Sequence, residues 1–257
     1  MRLDIVLQNL DGLIWLLVLL IPFNLIQQQV HKEIQTIFYL ITRKRKAAIS
    51  LFALVFLPGV FLHEISHLIV ARLTGVKTGR FSLLPKSTSR GQLQLGYVET
   101  ERTDWLRGSI IGAAPLIAGG SLIAYLASNH LDLPVLWDLL VKGNSIDFWS
   151  GLLTLPDKKS FWLLAYLIFV VSSTMMPSDS DRHAWLPMGL TMVCLLMVVT
   201  IAGAGPWVVE NLAPSLNKLF IGLAMVLGIS GILHIILYLP SVGIHKLLVK
   251  ITGYDIV

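Results

Sequence analysis

The chain has 257 residues, of which 55% are hydrophobic and only 14% are charged, and its mean hydropathy is +0.74. Soluble domains carry about 25% charged residues, so this composition excludes an ordinary soluble protein and favours a membrane domain. The net charge of +5 does not indicate nucleic-acid binding, because the basic residues stand in short runs beside apolar segments, where membrane lipids are the expected partner. The single cysteine, Cys194, excludes an intrachain disulfide.

Apolar runs of helical length predict six membrane spans, since about 20 such residues cross a hydrocarbon core of roughly 30 Å. The runs lie at residues 11–27, 47–75, 105–127, 161–177, 184–204 and 216–239. The amphipathic stretch 30–41 is expected to extend the first span along the interface rather than cross the membrane by itself. We therefore predict an all-α polytopic membrane protein that forms a single membrane domain over residues 1–257.

Three segments differ in character from the spans. Within residues 78–100, Gln94 and Gly96 belong to a period-two alternation of polar and apolar residues between turn residues, which predicts a β-hairpin between the second and third helices. Residues 128–159 mix charged residues with Gly, Pro and Trp, a composition that predicts a loop with short interfacial helices. Residues 242–257 are expected to form an interfacial tail. The Lys and Arg residues are nearly balanced between the two sides, so the orientation stays open.

His63, Glu64 and His67 form an H-E-x-x-H motif inside the second predicted span. Residues four apart share one face of a helix, so both imidazoles can bind one tetrahedral metal ion while Glu64 stands beside a bound water. The ion lowers the pKa of that water, and Glu64 can pass its proton to a leaving amine. Such side chains in an apolar helix cost several kcal/mol unless paired or hydrated, which favours a functional site over simple hydrogen bonding between helices.

A catalytic zinc ion needs a third protein ligand and an open fourth position. Asp179 and Asp181 follow Pro177, which ends the fourth predicted span on the side of the membrane where the second span also ends. Either aspartate can therefore approach the histidine pair. Other candidates near that side, favoured as solvated or supporting groups, are His183, Glu99, Glu101 and Asp104. His234, in the last predicted span, is expected to be a packed and hydrogen-bonded histidine.

These residues resemble the site-2 protease family of intramembrane zinc metalloproteases. The H-E-x-x-H motif lies in a predicted transmembrane helix, and residues 113–116 read A-A-P-L, which is similar to the A-G-P-L stretch of the family. Residues 174–181 resemble the N-x-x-P segment that leads to a ligand aspartate. The resemblance covers residues 47–185, with three departures. Thr174 stands where the family usually has Asn, Arg182 stands where it has Gly, and the interval from Pro177 to the aspartate is one residue shorter than usual.

The resemblance implies a metalloprotease core with one catalytic Zn²⁺ and a hairpin close to the substrate. Its implied metal ligands are His63, His67 and Asp181, with Asp179 as the alternative third ligand. Its implied catalytic residue is Glu64. The implied substrate-binding residues lie in the hairpin and at the end of the fourth span: Gln94, Gly96 and Thr174.

We therefore predict a zinc-dependent intramembrane endopeptidase that hydrolyses a peptide bond in or near a transmembrane segment of another membrane protein. The expected location is the inner membrane of a prokaryotic cell, with no nucleic-acid partner, and the sequence indicates no oligomeric state. The altered Thr174 and Arg182 positions leave an alternative, a catalytically silent relative that acts as a scaffold or binds transmembrane segments. A transporter has least support, because no repeat halves or paired broken helices are visible.

Overall fold

A computed structural model describes residues 10–87 and 93–254 of the chain, and it is 80% helical. The α-helices are α1 Asp11–Thr42, α2 Arg45–Leu73, α3 Trp105–Asn129, α4 Leu133–Val141, α5 Ser145–Thr154, α6 Phe161–Thr174, α7 Trp185–Val199 and α8 Ala213–Thr252. A short 3-10 helix follows α5 at Leu155–Asp157, and the chain between α7 and α8 forms the helical segments Thr200–Ala204, Gly205–Trp207 and Val208–Leu212. The strands are β1 Thr78–Ser82, β2 Lys86–Ser87, β3 Leu93–Gln94 and β4 Tyr97–Thr100.

Among the described residues, four helical stretches are long and apolar enough to cross a membrane. They are Asp11–Thr42, Arg45–Leu73, Trp105–Asn129 and Trp185–Thr252. These stretches indicate a membrane protein, in agreement with the composition. The predicted count of six spans is not confirmed, because α6 has only 14 residues and reaches about 21 Å at 1.5 Å per residue. The predicted fifth and sixth spans also fall in one stretch, which is kinked at Gly203 with φ of 88°.

Helices α1 and α8 lie side by side and run parallel. The backbone N–H of Gly12 donates to Asn217 Oδ1 at 2.7 Å near the start of both helices. His245 Nδ1 lies 2.6 Å from Glu33 Oε2 near their ends, so the contacts follow the same order along both chains. Each helix is also longer than its predicted span. The stretch 30–41 continues α1, and α8 extends through the first residues of the predicted tail as far as Thr252.

The hydrophobic core lies where α1, α2, α3, α6 and α8 meet. Its buried members include Phe23, Phe52, Phe56, Ile123, Ile168, Val170 and Val226. Close backbone approach between the helices depends on small residues. A Cβ atom added to Gly59 of α2 would lie 2.2 Å from the Val170 carbonyl oxygen of α6, and one added to Gly119 of α3 would lie 2.6 Å from Met175 Cβ. Van der Waals packing of this kind drives helix association in lipid, where no hydrophobic force acts between helices.

The predicted hairpin is present as two short antiparallel pairs. Strand β1 pairs with β4, with Ser82 opposite Tyr97, and β2 pairs with β3, with Lys86 opposite Gln94. Within the predicted hairpin, β3 and β4 are separated at residues 95–96, and residues 88–92 lie outside the described part of the chain. The predicted loop over residues 128–159 contains α4 and α5.

Candidate metal centre

Three helices fix the two histidines of the H-E-x-x-H motif. His63 Nδ1 lies 2.6 Å from the carbonyl oxygen of Thr174 at the end of α6, and His67 Nδ1 lies 2.9 Å from the carbonyl oxygen of Ile111 in α3. A carbonyl oxygen only accepts, so each Nδ1 must carry the hydrogen and donate it. In a neutral ring the Nε2 atom then bears a lone pair. Both histidines are therefore held in the tautomer that binds metals through Nε2.

These lone pairs converge with a carboxylate. The two Nε2 atoms are 3.2 Å apart, Asp181 Oδ1 lies 3.3 Å from His67 Nε2, and Asp181 Oδ2 lies 3.8 Å from His63 Nε2. A tetrahedral zinc ion with ligand distances near 2.0–2.1 Å separates its ligand atoms by about 3.3 Å. A proton shared in a hydrogen bond would link only two of the three side chains, whereas a metal ion can be bound by all three of them. His63, His67 and Asp181 could therefore hold a metal ion.

Asp181 is oriented by its own turn. The backbone N–H and the hydroxyl of Ser178 donate to Asp181 Oδ2 at 2.7 and 2.6 Å, which leaves Oδ1 facing His67. Burial opposes ionisation of this carboxyl, but the neighbouring His67, when its ring is protonated, and the hydrogen bonds from Ser178 outweigh burial and lower the pKa of Asp181. The carboxylate is therefore charged at neutral pH. Ser178 was not singled out from the sequence, although a serine three residues before an acidic residue is a recognisable capping pattern.

Helix α3 also contacts the turn that carries Asp181. The hydroxyl of Ser109 donates to the Ala184 carbonyl oxygen at 3.0 Å. One helical turn further along α3, a Cβ atom added to Gly112 would lie 2.1 Å from the carbonyl oxygen of Asp181, a distance that no side chain can occupy. The backbone of the aspartate turn therefore rests directly on the backbone of α3. This contact sets how near Asp181 comes to His67.

Substituting Gly112→Ala is expected to push the Asp181 turn away from α3 and to lower the affinity of the site for a metal ion by at least about 10-fold, the effect typical of a group that orients a ligand. Competition with a chromophoric chelator would measure the dissociation constant. Gly189→Ala in α7 is the matched control, because nothing lies within 4 Å of the added methyl group there. Equal affinity in the two variants would contradict this supporting role.

Glu64 lies under the hairpin. It is 7% exposed, and a Cβ atom added to Gly96 would lie 2.9 Å from Glu64 Cγ and 3.1 Å from Glu64 Oε1. Between β3 and β4, the backbone of Gly96, which has no side chain, therefore lies against the Glu64 side chain. The structure therefore places the predicted substrate-contacting Gly96 beside the predicted catalytic residue.

The two other predicted substrate-binding residues, Gln94 and Thr174, have other contacts. Gln94 is exposed in β3, opposite Lys86. Thr174 donates its hydroxyl to the Val170 carbonyl oxygen of its own helix at 2.9 Å, while its own carbonyl accepts from His63. Thr174 therefore helps to orient the His63 ring through its backbone carbonyl group.

The alternative ligand and the competing side chains lie outside the group of three residues that could hold a metal ion. Asp179 is paired with Arg182 at 2.6 Å, and its side chain is 72% exposed. The other candidates have separate partners: Ser180 O for His183, Arg80 N–H for Glu99, Lys77 for Glu101 and Arg107 N–H for Asp104. The structure therefore brings Asp181, and not Asp179, to the histidines.

No family model matches the chain, and no curated protein or solved structure matches it. The geometry of the site therefore carries the functional argument.

Proposed function

We propose that this protein is a zinc-dependent intramembrane endopeptidase that cleaves a peptide bond in or near a transmembrane segment of a membrane-protein substrate. The observation that supports the proposal is the convergence of two imidazole lone pairs and one carboxylate beside Glu64. Two histidines and one carboxylate are a typical ligand set of catalytic zinc sites, which keep the fourth position open. Placement in the inner membrane of a prokaryotic cell stays a prediction.

Zinc would supply a Lewis acid that polarises the scissile carbonyl and increases the acidity of the attacking water. The protein supplies the proton transfers. As the water oxygen attacks the peptide carbon, Glu64 accepts a proton from that water, and it passes the proton to the amide nitrogen as the C–N bond breaks. Glu64 suits this role because it lies next to His63 in α2 and has little contact with solvent.

An extended substrate fits the hairpin. A helical peptide hides its carbonyl groups in hydrogen bonds, and an unwound peptide in lipid needs new partners for its backbone. Strand β4 pairs with β1 along one edge, and the other edge is unpaired within the described residues. A substrate strand added along that edge would gain backbone hydrogen bonds and would pass near Gly96, which contacts Glu64.

Metal analysis tests the first step of the proposal. Purified wild-type protein is expected to contain about one zinc ion per chain, because three protein ligands with one open position define a single catalytic site. His67→Ala should lose that zinc, since it removes the lone pair nearest to Asp181. His130→Ala, at an exposed position at the end of α3, is the matched control and should keep the metal. Well-folded wild-type protein that binds no zinc would overturn the proposal.

A catalytically silent protein that binds transmembrane segments is the second candidate. The backbone of Gly96 lies close over Glu64, so a substrate must displace this segment to reach the carboxylate. This arrangement favours the binding protein. The two functions differ in their dependence on Glu64. A binding protein requires that Glu64→Gln leave the cellular phenotype unchanged, whereas a protease requires that the phenotype be lost.

A further inference from the structure

The last turn of α6 is held by side chains from three other helices. Carbonyl groups at the C-terminus of a helix have no partner within the helix and need one elsewhere. Here the Ser173 carbonyl oxygen accepts from Gln27 Nε2 of α1 at 2.6 Å. The next carbonyl, that of Thr174, accepts from His63 Nδ1 of α2 at 2.6 Å. Gln27 and a metal ligand are therefore attached to adjacent peptide groups.

His234 holds the same turn through the side chain of Ser173. His234 Nδ1 lies 2.7 Å from the Ser230 carbonyl oxygen and must donate to it, so Nε2 accepts from the Ser173 hydroxyl at 3.0 Å. The imidazole is fully buried, with the rings of Phe23 and Phe169 at centroid distances of 5.3 and 4.9 Å. These contacts leave the ring little freedom to move. His234 is thus packed and hydrogen-bonded, as the sequence predicted, and it also fixes Ser173.

The hydrogen bond from Gln27 to the Ser173 carbonyl oxygen leaves another polar atom of Gln27 without a partner in the described part of the chain, which lowers stability. The Gln27 side chain is buried, and Oε1 has no partner among the described residues. Reversing the amide would not help, because the Ser173 carbonyl needs a donor and Nε2 is the only one that Gln27 has. An unpartnered acceptor in the apolar core of a membrane protein is destabilising. A leucine of similar size would remove Oε1 but would leave the Ser173 carbonyl oxygen without a donor. The value of the amide therefore lies in holding Ser173.

We propose that Gln27 and His234 are positioning residues of the metal centre. Together they fix the last turn of α6, so that the Thr174 carbonyl aims His63 Nε2 at the ligand site. This inference depends on the metal-binding step of the proposed function and not on proteolysis. Neither residue touches the metal-binding atoms, and both act through Ser173, Thr174 and His63.

The test compares Gln27→Leu with Gln28→Leu in the full-length protein. Gln28 is exposed on the same helix, one residue away, so it controls for the chemical change. Gln27→Leu is expected to lower zinc affinity by about 10- to 100-fold, as loss of an outer contact of a metal ligand does. Its melting temperature without metal should stay near that of wild type, because the unpartnered Oε1 is removed while the Ser173 carbonyl oxygen loses its donor. The visible spectrum of the Co²⁺-loaded protein should change, since it reports ligand geometry.

A double-substitution cycle identifies the route of the effect. In a His234→Phe background, Gln27→Leu should weaken metal binding little further, because both residues act through Ser173. In a Gly112→Ala background, which disturbs the Asp181 side of the site, the two effects should add. His234→Phe, which keeps a ring but removes both polar contacts, should reproduce the cobalt spectrum of Gln27→Leu.

Unchanged zinc affinity in Gln27→Leu would overturn the inference alone. Wild-type protein without metal affinity would overturn the proposed function as well. A loss accompanied by a lower melting temperature would show a general structural role instead.

Discussion

Replacing Glu64 by glutamine is expected to abolish peptide hydrolysis while the metal stays bound. Glutamine has nearly the same shape, but its amide cannot accept the proton of the attacking water. Loss of a positioned base lowers rates by about 100- to 10,000-fold. The carboxylate is not one of the three metal-binding groups, so zinc content should stay near that of wild type. Cleavage of a transmembrane test peptide by protein reconstituted in lipid would measure the loss.

Glu210→Gln is the matched control for this substitution. Glu210 is exposed in the segment between α7 and α8, so the same chemical change there should leave hydrolysis intact. Cleavage by Glu64→Gln at a rate similar to that of Glu210→Gln would remove Glu64 from the mechanism. A loss of zinc from Glu64→Gln would instead assign Glu64 to the support of the metal.

Replacing Asp181 by alanine should weaken zinc binding far more than replacing Asp179. Asp181 presents an oxygen 3.3 Å from His67 Nε2, whereas Asp179 is occupied by Arg182. Loss of a direct ligand should exceed the 10- to 100-fold effect that is usual for outer contacts. Zinc at about 100 times its dissociation constant stabilises the folded wild type by about 2.7 kcal/mol. At that zinc concentration, Asp181→Ala should lose most of the rise in melting temperature, and Asp179→Ala should keep it.

Asp181→Asn separates ligation from the local fold. The asparagine amide oxygen can still accept from Ser178 and preserve the turn, but the negative charge beside the histidines is lost. Its zinc affinity should fall, while its melting temperature without metal stays near that of wild type. A larger loss in Asp179→Ala than in Asp181→Ala would reverse the ligand assignment.

Much of the site was predictable because its strongest signal is local. The spacing of His63, Glu64 and His67 depends only on the geometry of one helix, and an apolar sequence makes that helix compulsory in lipid. The position of Asp181 followed from counting membrane crossings between α2 and the end of α6. That argument allowed Asp179 as well, because it places a segment on one side of the membrane and does not place a side chain.

The rest of the site depends on contacts between distant residues. Ile111 supplies a carbonyl to His67 from 44 positions away, and Gln27 reaches Ser173 across 146 positions. A backbone carbonyl has no signature in the sequence, since every residue carries one. The amide of Gln27, near the middle of α1, offers no motif that would connect it with a histidine in α2. Such partners become visible only when the helices are packed.

The sequence by itself determined the membrane class of the protein, the hairpin and the H-E-x-x-H face of α2, because hydropathy and helical or strand periodicity are properties of neighbouring residues. The six spans that it predicted are not confirmed, because α6 is short and because α7 and α8 belong to one kinked stretch. The tertiary structure decided which aspartate meets His63 and His67 and which carbonyls fix the two rings. Those choices depend on close backbone contacts at Gly59 and Gly112, where an added Cβ atom would lie 2.2 and 2.1 Å from a carbonyl oxygen.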